Sequence, residues 1–255
     1  ITRRIRTRVA GSRQPAAREI RPRRPAATPG RRTGALARPA WTEARRQVWW
    51  QARSPPRRQA LRQTIVRIVA GRFGGRTLRA PSTRDIRPTQ DRLREAVFNV
   101  LAHSFDDPCD GARVIDLFAG TGALGLEAIS RGARFALFVD DGSEARALLR
   151  ANVETLGVGG VTRIFRRDAT KLGEAPPGEK FTLAFLDPPY GRDLAPRALQ
   201  ALAGGDWLAP ETICVIEESA EVSVELPTSF EALDKRVYGD TQVMFARYAP
   251  ADSEA

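Results

Sequence analysis

The sequence predicts an α/β protein: a doubly wound, mostly parallel, seven-stranded sheet, with an antiparallel C-terminal hairpin at one edge and an N-terminal β-hairpin extension. Three observations predict it. β-type apolar runs alternate with helical periodicity from Val114 to Glu218. A glycine-rich turn separates the first of those runs from its helix. Two further β-type runs, about Tyr238-Gly239-Asp240, lie near the end of the chain.

Each element follows from local pattern. Ile65-Val66-Arg67-Ile68-Val69-Ala70 is a β-type run closed by Gly71, and Phe73-Gly74-Gly75-Arg76 reads as a hairpin turn leading to Leu78. Residues 89–101 read as an amphipathic helix, with Leu93, Val97, Val100 and Leu101 at helical spacing and Thr89 or Asp91 as cap. Strands are then expected over residues 114–118, 135–140, 161–165, 181–187 and 212–218, with helices over 123–130, 144–155 and 195–203. Residues 230–237 and 241–248 form the closing hairpin.

Residues 1–64 are different in kind. They hold 18 Arg, no Lys, two acids and seven Pro, with no sustained apolar period. Such a composition buries too little apolar area to offset chain entropy, so a disordered Arg/Pro/Ala-rich extension is expected. The alternative is a nucleic-acid-binding arm. Neither an apolar signal core nor an apolar run of about eighteen residues is present, which excludes a secretory signal and a membrane helix from this reading.

Charge sharpens the division. The formal +11 splits into +16 over residues 1–64 and −5 over 65–255. Within the second part, residues 65–94 carry +6 and residues 95–255 carry −11. Attraction to a polyanion is therefore concentrated at the start of the folded part and in the arm. Three segments are expected: the extension, a basic hairpin and loop over 65–95, and a catalytic domain over 96–250. Two cysteines without metal-ligand spacing and a lone His103 argue against a zinc site, a disulfide scaffold or a histidine-dependent hydrolase.

Two motifs carry chemistry. In Asp116-Leu117-Phe118-Ala119-Gly120-Thr121-Gly122-Ala123-Leu124-Gly125, the glycines satisfy G-x-G-x-x-G between a strand and a helix, where a backbone must approach a nucleotide-like ligand. Asp140 ends the next strand and can accept from both hydroxyls of a ribose. This pair fits a nicotinamide cofactor or S-adenosylmethionine. Asp116 helps to choose, because a carboxylate repels a pyrophosphate and attracts a sulfonium. Asp168, after the third strand, is placed either to accept from an adenine amine or to serve as a solvated strand-end acid.

The second motif is Asp187-Pro188-Pro189-Tyr190, at the carboxyl end of the fourth strand, where open parallel sheets bind ligands. The prolines have no N–H, so the local surface presents acceptors: the Asp187 carboxylate and the Pro188 carbonyl. Such a pair suits an exocyclic amine with two N–H donors. Tyr190 offers a ring for base stacking, worth roughly 1–3 kcal/mol. Acceptors fixed in advance favour a nitrogen lone pair out of the ring plane and stabilise positive charge as the amine is alkylated.

Both motifs together resemble class I S-adenosylmethionine-dependent amino-methyltransferases. Arg67–Gly71 with Gly75–Leu78, then Arg87–Glu95, then Asp116–Arg131 narrow the resemblance to the RsmD family, over roughly residues 65–249. Enzymes of that family methylate the N2 amine of one guanine in 16S ribosomal RNA. The resemblance implies a Rossmann-like class I methyltransferase fold and S-adenosylmethionine as cofactor. Asp116, Phe118, Ala119, Gly120 and Gly122 would line the methyl-donor pocket, with Asp140 on the ribose and Asp168 and Ala169 beside adenine. Asp187, Pro188, Pro189 and Tyr190 would hold the target amine. Arg67, Arg72, Arg76, Arg79, Arg87 and Arg92 would contact RNA. The implied enzyme is a metal-free, cytoplasmic monomer acting on 16S rRNA in the small subunit or its assembly intermediate, with the base splayed out of its loop.

Three other readings stay open from the residues alone. An adenine-N6 methyltransferase acting on DNA or RNA would use the same tetrapeptide, since N6 is also an exocyclic amine. A nicotinamide-dependent oxidoreductase would use the glycine loop but leave residues 187–190 without purpose. A non-catalytic RNA-binding protein would have no need of that tetrapeptide.

Overall fold

A computed structural model describes residues 66–81 and 88–250, all within one compact unit spanning Gln59–Ala255. The expected extension over residues 1–64, the start of the first β-run at Ile65, and Arg87 lie outside the described residues.

The chain opens with a short antiparallel pair, β1 (Val66–Arg67) and β2 (Thr77–Leu78), in register Val66 to Leu78 and Arg67 to Thr77. The paired part is shorter than the sequence run suggests, because a 3-10 turn over Gly71–Phe73 takes up the middle. Gly71 is required there: its φ is +78°, and a Cβ would lie 2.0 Å from the Ser130 carbonyl oxygen.

Next comes α1 (Pro88–Ser104), a turn longer at its C-terminus than the periodicity predicts, then β3 (Arg113–Leu117), α2 (Ala123–Ser130), β4 (Phe135–Val139), α3 (Ser143–Leu156) and β5 (Thr162–Phe165). The chain then crosses to β6 (Phe181–Leu186), α4 (Leu194–Gly204), β7 (Leu208–Ser219), β8 (Phe230–Tyr238) and β9 (Thr241–Tyr248). The main sheet has the expected seven strands, in the order β5-β4-β3-β6-β7-β9-β8. The first five in that order run parallel, β9 is antiparallel to β7, and β8 returns antiparallel to β9. β7 begins before Thr212 despite Pro210 and a positive φ at Glu211, and its pairing with β6 shifts register between Phe181 and Leu183.

Each face of the sheet buries its own core. On one face α1, α2, α3 and the N-terminal hairpin cover Val114, Phe138, Phe185, Val215 and Phe245. On the other, α4 and the segment around Trp207 cover Ile115, Leu137, Ala184 and Ile216. Alternation along the parallel strands assigns these residues, since successive side chains point to opposite faces. Trp207 is fully buried and donates its indole N–H to the Gly173 carbonyl at 2.7 Å. A side chain of that size stabilises by roughly 1.5–3 kcal/mol through burial.

The strand order reverses between β3 and β6, and their register runs from Val114–Leu183 to Leu117–Leu186. The carboxyl ends of these two strands therefore flank the crevice where open α/β sheets take ligands.

Candidate ligand and catalytic site

The crevice is a cavity of about 1180 Å³. Drug-sized ligands occupy pockets of roughly 300–1,000 Å³, so this one has room for a nucleoside ligand and a second planar group. Its lining joins the glycine loop, the ends of β4 and β5, the segment 187–190 and the β8–β9 turn.

The glycine loop is held from below. Asp116 Oδ2 accepts the Gly125 N–H at 2.9 Å, fixing the first turn of α2. Asp140 accepts the Gly120 N–H at 2.8 Å on one carboxylate oxygen and the Gly142 N–H at 2.8 Å on the other. The glycines divide their work. Gly120, at φ +56°, has no atom closer than 3.8 Å to where a Cβ would stand, so it keeps a cradle open. Gly122 does not line the cavity. Its φ is +80°, and a Cβ would meet Leu149 Cδ1 at 2.3 Å, so this glycine serves helix packing.

The remaining residues expected at the methyl-donor pocket, Asp116, Phe118, Ala119, Gly120, Asp140, Asp168 and Ala169, all line the cavity. Asp168 also closes a local turn: its Oδ1 accepts the Thr170 N–H at 2.8 Å and the Thr170 hydroxyl at 2.7 Å. Those two bonds, hydroxyl first, hold its carboxyl below the usual carboxylate range. Asp168 thus lines the cavity and closes a local turn at once.

Asp187, Pro188, Pro189 and Tyr190 line the same cavity. Tyr190 is 40% exposed, and its hydroxyl lies 3.4 Å from the Thr241 hydroxyl. Burial pushes the phenol pKa up, so it is neutral at physiological pH. Glu218 anchors this loop from β7. It is buried, and its Oε1 accepts the N–H of Gly191 at 3.0 Å and of Ser219 at 2.8 Å.

Charge in the cavity is strongly one-sided. Eight Asp and Glu residues line it against three Arg among the described residues. Burial pushes the Asp116 carboxyl well above its ordinary range; the Gly125 N–H opposes this, and Asp187 and Asp140 add to it. Glu217 shows the same upward direction, from burial and then Asp187, with Arg94 opposing and Asp116 adding. A cationic ligand relieves this crowding, whereas a pyrophosphate worsens it.

Sequence reading missed Glu217, Glu127 and Arg94. Glu217 looks like one polar residue near a strand end, and Glu127 like a solvated helix acid, yet they are 7% and 0% exposed. Glu127 Oε2 accepts from Val69 N at 2.6 Å, and Oε1 accepts from Ala70 N at 2.9 Å and Arg131 Nε at 2.8 Å. Arg94 donates to the Arg67 carbonyl and, at 2.7 Å, to Asp91. These contacts seat the N-terminal hairpin on α1 and α2.

Of the residues expected to contact RNA, Arg67, Arg72, Arg76, Arg79 and Arg92 are all exposed. Arg92 also lines the cavity. Arg72 lies over the Phe73 ring, 4.6 Å from its centroid. Arg76 is partly engaged within the protein, donating to the Thr155 carbonyl at 3.0 Å.

Comparison with known proteins follows the same boundaries. The family model described as Conserved hypothetical protein 95 matches residues 66–247. Ribosomal RNA small subunit methyltransferase D of Escherichia coli is 33% identical over 192 residues, covering 74% of this chain and 94% of that protein. The Haemophilus influenzae protein of the same name is 29% identical over 68% of this chain and 89% of its own length. Among solved structures, yhhF of Escherichia coli superposes with a TM-score of 0.62 at 28% identity, covering 73% of this chain and 99% of that one. The fold is that of the class I methyltransferases.

Proposed function

The chain belongs to the RsmD family of methyltransferases, and on that footing we propose that it methylates the exocyclic N2 amine of a specific guanine in 16S ribosomal RNA of the small subunit, with S-adenosylmethionine as methyl donor. One observation carries the reading: the Asp187–Tyr190 segment, whose two prolines have no N–H, and the glycine loop line a single acidic cavity at the point where the strand order reverses.

The lining fits the cofactor. Gly120 leaves open space for an adenosyl group, Asp140 offers remaining lone pairs to a ribose, and Asp168 and Ala169 flank the place for adenine. The excess of carboxylates favours a sulfonium over a pyrophosphate. When bound, S-adenosylmethionine supplies an electrophilic methyl group.

The protein's part is to prepare the amine. Asp187 and the Pro188 carbonyl accept its two N–H groups, and the Tyr190 ring stacks on the base. Those acceptors hold the nitrogen lone pair out of the ring plane and stabilise positive charge on nitrogen while the C–N bond forms. Asp187 then stands as acceptor for the departing proton. Exposed Arg67, Arg72, Arg76, Arg79 and Arg92, with Arg87, supply phosphate contacts around the loop that presents the base. Small-subunit methyltransferase names among the relatives support the RNA substrate.

The deciding experiment maps N2-methylguanosine in 16S rRNA from cells with and without this gene, and repeats methylation in vitro with purified protein. Loss of one N2-methylguanosine, restored in vitro, is the expected result. An unchanged map, or restoration of N6-methyladenosine instead, overturns the reading.

A further inference from the structure

Glu217 is a buried acid for which the methyl-transfer reading has no role. It lines the same cavity as Asp187 and is 7% exposed. Neighbouring acids are engaged by backbone: Asp116 with Gly125, Asp140 with Gly120 and Gly142, Glu218 with Gly191 and Ser219. The Glu217 carboxyl receives no such backbone N–H among the described residues.

Its placement is specific. Leu186 pairs with Ile216 across β6 and β7, so the next residues, Asp187 and Glu217, leave adjacent parallel strands side by side. Phe185 and Val215 also pair, and both face the core under α1. Side chains two residues apart share a face, so Asp187 and Glu217 project toward that same side. Asp116, paired with Phe185 across β3 and β6, belongs to it as well. Asp187 and Glu217 thus present carboxyls side by side at two adjacent strand ends, with Asp116 two residues further back on the same face and Arg94 of α1 lining the same cavity.

A purine edge complements such a row. Guanine held by its N2 amine presents the ring N1–H as the adjacent donor. Adenine held by its N6 amine presents a bare lone pair at the adjacent N1. We infer that Glu217 accepts the N1–H of the target guanine while Asp187 holds the amine, so that two neighbouring strand ends read adjacent donors of one base and discriminate against adenine. This inference rests on the methyl-transfer reading above. Glu217 offers an acceptor oxygen to N1–H in either protonation state. Burial raises its pKa and Arg94 opposes that rise; in the ionised form its carboxylate repels the bare N1 of adenine.

The test replaces the mapped guanosine, in RNA reconstituted into small subunits, with 2-aminopurine riboside, which keeps the 2-amine but has no N1–H. Wild-type kcat/KM is expected to fall about 10- to 100-fold on that substrate, the range of one good base-reading contact. Glu217→Gln can turn its amide N–H toward the bare N1 and is expected to narrow the gap several-fold, with S-adenosylhomocysteine affinity unchanged. Equal wild-type rates on both RNAs overturn the inference, and so does a Glu217→Gln variant that slows both equally. The wild-type comparison decides even if the variant does not fold. Methylation of an adenine amine in place of guanine would instead show that the parent reading has failed.

Discussion

Glu127 Oε2 accepts the backbone N–H of Val69 at 2.6 Å, across 58 residues of sequence and from a position with no solvent exposure. The same carboxylate holds Ala70 and Arg131, so one side chain joins α2 to the hairpin that opens the folded part. Glu127→Ala leaves two backbone donors and the Arg131 guanidinium without their acceptor. Breaking a buried charge pair in this way costs about 3–5 kcal/mol. Chemical denaturation should show that loss, and limited proteolysis should cut near residues 66–81 first. A variant as stable as the parent would mean that the hairpin is held by other contacts.

Asp187→Ala should abolish methylation while S-adenosylhomocysteine affinity stays within about tenfold, a difference near 1.4 kcal/mol. Calorimetry and a methyl-transfer assay on the same preparation check this. Equal loss of both would make Asp187 a scaffold residue and not the acceptor of the amine.

How much of this was legible beforehand depends on what each residue displays in sequence. The parallel strands announce themselves through apolar runs, and the glycine loop and Asp187–Tyr190 through spacing. Gly122 was legible as a glycine but not for its purpose, since contact with Leu149 is a fact of packing and leaves no local signature. The start of β7 was hidden because Pro210 argues against a strand, yet an irregular register with β6 accommodates it. Glu127 and Glu217 were invisible because an acid reads as solvated until its burial is known.

The two loop glycines separate by experiment. Gly122→Ala forces a methyl to within 2.3 Å of Leu149 Cδ1 at a left-handed φ. Overpacking of this kind costs typically about 1–3 kcal/mol, with backbone strain in addition. Gly120→Ala meets no close neighbour and should cost only the strain, about 1–2 kcal/mol. Its methyl instead occupies the cradle, so cofactor affinity should fall more for Gly120→Ala than stability does. Thermal melts and calorimetry on both variants decide. Identical profiles would refute the division of labour.

Asp116 sets a pH dependence with a definite sign. Burial raises its folded carboxyl pKa above the ordinary value of 3.8, so the folded state binds its proton more tightly than the unfolded chain does. Its contribution to stability is therefore full below that ordinary value and declines as pH rises toward the raised one. Asp116→Asn keeps an acceptor for Gly125 N–H and removes the titration. Denaturation of the ligand-free protein at several pH values should show a shallower decline for the variant. A parallel slope would exclude Asp116 as its source.

Exposed arginines of the hairpin should govern the salt dependence of RNA binding. Each of Arg67→Ala and Arg72→Ala should weaken binding and reduce the slope of log affinity against log salt by about 1, as loss of one phosphate contact does. Arg76→Ala should add a small stability loss, because its guanidinium also bonds Thr155. Filter-binding titrations over a salt series measure these slopes, and unchanged values would remove the hairpin from the RNA interface.

The Asn152 amide donates to the carbonyls of Arg79 and Thr121, at 3.1 and 2.9 Å, and accepts the Arg79 N–H at 2.7 Å. A single buried side chain thereby couples the end of the basic hairpin to the glycine loop. The two segments should open together rather than independently, so their backbone amides would share one deuterium-exchange rate, and whatever steadies the outer segment would slow exchange in the inner one.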